Sequence, residues 1–200
     1  MAAASASTRA TISPLRDRFG SSGRTGVASI HPTCNEELPW PPTPPARTTI
    51  PRSGTPTARQ FGAELQDILV ELIDLSLLGK QAHWNLYGPN FRSLHLQLDE
   101  LVDEWREASD EVAERAVALG HSPDGQSRTI AERTELDALP AGQISDADVI
   151  SALTERLTDS IGRIRTRMDR LEDVDAVTAD LLHGVVMTLE KQLWMIRVQA

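Results

Sequence analysis

From about Ala58 to Leu86 the apolar residues Leu65, Ile68, Leu69, Leu72 and Leu75, closing on Gly79, recur every three or four positions, the period of one helix face. Val70 and Leu77 widen this surface beyond one stripe, so the helix is expected to pack on its own bundle and also on another subunit. Gly88 and Pro89 then break the chain. Asn90 is a suitable N-cap for a second helix reaching about Leu119, with Phe91, Leu94, Leu98, Leu101, Trp105, Val112, Ala116 and Leu119 on one face. Gly120 stops it. A long connection with a short helix near Ser127 to Leu136 leads to Ser145, which can cap a third helix carrying Ile150, Leu153, Leu157, Ile161, Ile164, Met168 and Leu171. The fourth helix starts near Val177, with Leu182, Val185, Val186, Leu189, Leu193 and Ile196 on its apolar face. The two-residue alternation of strands is absent.

Two antiparallel hairpins joined by a long crossover predict an all-α fold: a ferritin-like four-helix bundle, with a short extra helix in the crossover between the second and third helices. An irregular helical domain is the competing arrangement. Helices of about 25 residues are long and even enough to favour the bundle.

Composition separates a tail from this body. Nine of the twelve prolines fall at or before Pro56, and such a stretch buries too little apolar surface to order itself. Residues 1–57 therefore read as a disordered Pro/Arg-rich extension and 58–200 as the folded domain. The first thirty residues, rich in Ala, Ser, Thr and Arg, also describe an organelle transit peptide. A mis-assigned translation start is a third reading, because Met1 is the only methionine before Met168. Residues 1–59 carry seven arginines against Asp17, Glu36 and Glu37, a balance of +4. Subtracting these from 20 basic and 29 acidic side chains leaves 13 and 26, so the body from residue 60 onward carries −13. An acidic body repels nucleic acid and attracts cations. Cys34 is the lone cysteine, which excludes an intrachain disulfide and suggests a reducing compartment. The most apolar run, Ile68 to Leu78, is interrupted by Glu71 and Asp74 and is too short to cross a bilayer, so no membrane partner is expected.

Candidate chemistry lies on the second helix. His95 with Asp99, and Asp110 with Glu114, are pairs one helical turn apart. At about 100° per residue all four share a flank a quarter turn or more from the core stripe, facing out of the bundle. Each pair resembles half a metal site. Asp99 and Asp110 are separated by roughly 16 Å of helix rise, too far to share one ion. A second copy of the helix running antiparallel would bring His95 and Asp99 of one chain to Asp110 and Glu114 of the other, at a subunit interface. His83 joins this group because it precedes the turn at Gly88 by about as much as His95 follows it. Imidazoles with carboxylates suit iron, manganese or zinc, and the lack of thiolates argues against a structural zinc knot. Redox chemistry on iron is the favoured reading. The bland alternative for each pair is a solvated charged face. No Glu-x-x-His motif occurs, so the usual intrabundle ferritin site is excluded. His31, His121 and His183 read as structural or surface residues.

Lys80-Gln81-Ala82-His83-Trp84-Asn85, then Gly88-Pro89-Asn90-Phe91, His95, Asp99, and Asp110-Glu111-Val112-Ala113-Glu114-Arg115-Ala116 together resemble the Dps family of mini-ferritins, the DNA-binding proteins from starved cells. The likeness extends to Leu119-Gly120-His121-Ser122-Pro123 and to Leu189-Glu190-Lys191 with Trp194, covering about residues 60–200. It implies a hollow dodecamer with tetrahedral symmetry and a ferroxidase centre at each two-fold interface. There His83, His95 and Asp99 of one chain face Asp110 and Glu114 of its partner, with Trp84 beside the iron. The implied activity is oxidation of ferrous iron, commonly by hydrogen peroxide, with storage of ferric mineral and protection against oxidative damage in the cytoplasm. Asp146, Asp148 and Asp159 are candidates for an acidic iron-entry pore, although acids at helix starts also stabilise helices.

DNA is a separate matter. Family members that bind it use lysine-rich tails, whereas this N-terminal extension has arginines and no lysine, and the last predicted helix ends at about Ala200, without a basic C-terminal tail. Twelve arms acting together still offer weak, multivalent binding and nucleoid association. The alternative function is thus a non-enzymatic nucleoid protein that binds DNA without sequence preference. A 24-subunit ferritin is the third option, distinguished by particle mass.

Overall fold

The first helix, α1 (Pro56–Asn85), buries Leu65, Ile68, Leu72 and Leu75 completely, as its three- and four-residue spacing requires. The computed structural model describes residues 56–171 and 175–200, so the extension read as disordered lies outside the described residues except for Pro56 and Thr57 at the start of α1. α1 pairs with α2 (Phe91–Ala118), and α4 (Asp146–Asp169) pairs with α5 (Ala176–Arg197); α3 (Ser127–Arg133) sits in the crossover against α1. This is the expected all-α, ferritin-like bundle. The third-helix stripe from Ile150 to Leu171 is buried throughout.

Gly79 sets how closely α1 and α2 approach. A Cβ there would lie 2.6 Å from Val102 Cγ2 and 2.6 Å from Trp105 Cζ3, so a side chain would force the helices apart. Trp105 is 1% exposed, and its indole donates to Gln192 Oε1 on α5 at 2.7 Å. Gln192 in turn donates to Glu104 Oε2 at 2.5 Å. The fully buried amide is thereby satisfied, as burial of a polar group demands.

Polar contacts also fasten α1 to α4, which the apolar pattern does not reveal. Glu71 is 4% exposed; it accepts from Ser160 Oγ at 3.0 Å and from Arg163 Nε at 2.8 Å. About two turns earlier, Glu64 accepts from Arg170 at 3.0 Å. The crossover is held by Arg156, whose guanidinium donates to the carbonyls of Asp137 at 2.7 Å and Ala138 at 3.0 Å.

Three local expectations are corrected. Asn90 occupies the N-cap position of α2 but makes no side-chain capping bond, because its φ of −92° and ψ of 11° are not the extended geometry that turns a side chain back onto the first turn. Phe91 is 44% exposed rather than buried: it shares the face of Leu94 and Leu98, but it is the first residue of α2, and its ring stacks on His95. Two short strands, β1 (Leu86–Tyr87) and β2 (Ile144–Ser145), pair in parallel, Leu86 with Ile144 and Tyr87 with Ser145. Two residues are too few to generate an alternation. Ser145 does cap α4 as expected, its Oγ accepting from Asp148 N at 3.2 Å. Among the described residues, no helix is long and apolar enough to cross a membrane.

Candidate metal centre

His83, in the last turn of α1, and His95, one turn into α2, stand side by side because the tight connection at residues 86–90 reverses the chain between them. Their rings stack with centroids 3.7 Å apart and planes inclined by 20°. Each ring bonds to the other residue's main chain: His83 Nδ1 lies 3.0 Å from His95 O, and His95 Nδ1 lies 3.1 Å from His83 O. A carbonyl oxygen only accepts, so each Nδ1 carries the proton. In the neutral rings the lone pair is then at Nε2, the tautomer in which an imidazole can bind a cation. The Phe91 ring also stacks on His95, with centroids 5.0 Å apart.

Asp99 follows His95 by one turn, and its Oδ1 lies 3.4 Å from His83 Nδ1. The same oxygen accepts from the ammonium of Lys80 on α1. That hydrogen bond, aided by the charges of His83, Lys80 and His95 and opposed by burial, holds the Asp99 carboxyl below its ordinary value of 3.8. Lys80 was not singled out as a site residue from sequence. Only the register of α1 on α2 reveals its role, because it lies 19 positions from Asp99 in the chain.

Asp110 and Glu114 sit on the same helix, exposed, on the flank facing away from the bundle. The fold does not bring them to the histidines. Asp110 opens onto a surface groove of about 570 Å³ whose walls include Leu69, Ile73, Ala113 and Pro123. Among the described residues, no group of three or more His, Cys, Asp or Glu side chains converges closely enough within one protomer to hold a metal ion. Trp84, beside His83 in sequence, is 70% exposed in the single protomer.

Of the remaining candidates, His31 lies outside the described residues. His183 is exposed, and the His121 ring fills the space over Gly62 on α1. Asp146 is not available to a pore, because it is 7% exposed and its two oxygens accept backbone N–H groups of Asn90 and Ala147 at 2.7 Å and 3.0 Å. Asp148 is engaged with Ser145 at 2.6 Å, and Asp159 is exposed.

Residues 62–200 match the model of the ferritin-like domain. The chain is similar to DNA protection during starvation protein 2 of Deinococcus radiodurans, with 37% identity over 75% of this chain. It spans 62% of that relative's length. Among solved structures it resembles Mycobacterium smegmatis Dps in a tetragonal form, with a TM-score of 0.72 and 34% identity, covering 76% of this chain and 93% of that one. It also resembles Dps from Microbacterium arborescens in a high iron form, with a TM-score of 0.69 and 31% identity over 73% of this chain and 96% of that one.

Proposed function

The chain belongs to the Dps family of ferritin-like proteins, and on that premise we propose that it is a mini-ferritin that oxidises ferrous iron at sites shared between subunits, stores the ferric product and protects the cell from oxidative damage. The observation that carries this reading is the reciprocal bonding of His83 and His95, which commits both Nδ1 atoms to carbonyls and leaves both Nε2 atoms for a cation.

Ferrous iron is the substrate. His83, His95 and Asp99 provide two imidazoles and a carboxylate from one chain, while Asp110 and Glu114 of the partner subunit provide two more carboxylates. A donor set rich in carboxylate oxygen stabilises the higher ionic charge, and so favours loss of an electron from the bound ion. Hydrogen peroxide is the proposed acceptor: it takes one electron from each of two ferrous ions and, with two protons, leaves as two waters. Iron and peroxide are consumed together without releasing hydroxyl radical. The Deinococcus relative's name refers to DNA protection and the Microbacterium structure's title to a high iron form, and both fit this chemistry.

The roughly 16 Å of helix between Asp99 and Asp110 requires that two chains complete each site. The proposed assembly is a dodecamer, with the two α2 helices of each pair antiparallel across a two-fold axis, in the cytoplasm. The −13 balance of the body draws ferrous ions toward the shell.

Co-assembly of two inactive variants tests the sharing directly. In a mixed dimer of His83→Ala/Asp99→Ala with Asp110→Ala/Glu114→Ala, one of the two sites receives every native ligand. Random mixing should therefore restore about a quarter of wild-type ferrous oxidation, whereas each variant alone stays inactive. No recovery in mixed particles of normal mass would count against a shared site.

A further inference from the structure

We infer that Asp146, at the start of α4, is a positioning residue for His83 and His95 and hence, resting on the function proposed above, for ferrous-ion binding. A carboxylate that is 7% exposed needs strong partners, and Asp146 has two from different helices. Oδ2 accepts the backbone N–H of Asn90, at the start of α2, at 2.7 Å. Oδ1 accepts the N–H of Ala147, in the first turn of α4, at 3.0 Å. The negative charge also sits at the helix end where the dipole favours it. One side chain thus ties the beginning of α4 to the turn that joins α1 and α2.

That tie depends on Gly88. Its φ of +137° is rarely adopted by other residues, and a Cβ there would lie 2.4 Å from the Asp146 carboxyl carbon. The parallel pairing of Leu86 with Ile144 and Tyr87 with Ser145 clamps the same crossing through the main chain. The five residues from 86 to 90 are therefore gripped from both ends by the segment that starts α4.

The histidines flank this gripped turn. His83 lies three positions before Leu86, and His95 five after Asn90. Their crossed Nδ1-to-carbonyl bonds are made only at one register of α1 against α2, since a slip of one residue rotates a side chain by about 100° and moves it about 1.5 Å. The turn sets that register. Asp146 acts at a distance from the metal, through the backbone, and its sequence position, 51 residues beyond His95, gives no hint of this.

The test uses the full chain carrying Asp146→Ala, with Asp146→Asn as a milder variant that keeps one acceptor oxygen. Metal-free crystal structures report the histidine contacts, and calorimetric titration of the assembled protein with cobalt(II), which mimics ferrous iron without being oxidised, reports the consequence. For Asp146→Ala the two crossed contacts should be lost and cobalt affinity should fall about tenfold or more, the usual scale for removing a residue that orients ligands. Asp146→Asn should fall between, and it carries both measurements if the alanine variant does not assemble. Unchanged His83–His95 contacts, even with a lowered melting temperature, would overturn the assignment and leave Asp146 a purely structural residue. If the wild-type protein takes up no cobalt, the proposed function fails, while the metal-free structures still decide whether Asp146 positions the pair.

Discussion

The ammonium of Lys80 rests on Oδ1 of Asp99, the same oxygen that lies 3.4 Å from Nδ1 of His83. Within one protomer the carboxylate proposed as an iron ligand is paired with a neighbouring cation. A metal ion arriving at Asp99 competes with that ammonium.

Removing the competitor should tighten metal binding. Lys80→Met removes the ammonium and keeps the length of the side chain. Cobalt(II) affinity should rise about three- to fivefold, as expected for an exposed ion pair. Calorimetry reads this directly. A weaker affinity in Lys80→Met would instead make Lys80 an aid to the site.

The Glu71–Arg163–Ser160 group should dominate the stability of the α1–α4 contact. Glu71→Ala leaves a guanidinium and a hydroxyl without their acceptor and should cost about 3 kcal/mol. The double variant Glu71→Leu/Arg163→Met removes both charges together and should be nearly neutral. Thermal melting at fixed protomer concentration compares the two. Equal losses would mean that packing volume, rather than charge pairing, sets the cost.

Asp175 links the last turn of α2 to the start of α5. Burial pushes its carboxyl up, but hydrogen bonds from Thr178 and Arg115 and the Arg115 charge outweigh burial and hold it below 3.8. A depressed folded-state value means that the stabilisation is fully present above the unfolded value and is lost as pH falls through the folded one. Wild type should therefore exceed Asp175→Asn in melting temperature at neutral pH. The gap should narrow only below about pH 4. A gap that grew on acidification would contradict the sign.

Binding of DNA, where it occurs, should depend wholly on the N-terminal arginines. The body from residue 60 onward carries −13 and should leave duplex DNA unretarded in a gel even at low salt. Retardation by a chain lacking residues 1–57 would show that some local basic patch overrides the net charge.

Most of the architecture was legible in the chain. The stripes of Leu65 to Leu75, Leu94 to Ala116, Ile150 to Leu171 and Leu182 to Ile196 give four helices, because burying one face of a helix imposes a 3.6-residue period on its sequence. The pairing of His83 with His95 was also legible, since a turn at Gly88 leaves both a similar distance from the fold-back. The separation of Asp99 from Asp110 followed from helix rise alone. These are consequences of local geometry, which a sequence carries explicitly.

Tertiary structure decided what depends on helix against helix. The Lys80–Asp99 contact, the Glu71–Arg163 pair, the buried Gln192 and the Asp146 tie each join residues 19 to 92 positions apart. Their side chains look like ordinary surface charges or polar residues in the sequence. A charged residue at a helix start reads as a dipole partner whether it faces water or a neighbouring turn, so Asp146 was indistinguishable from a pore residue until α4 was docked. The reason is physical: periodicity records which face is buried, while polar partners are chosen by the rotation and register of packed helices, which no local pattern encodes.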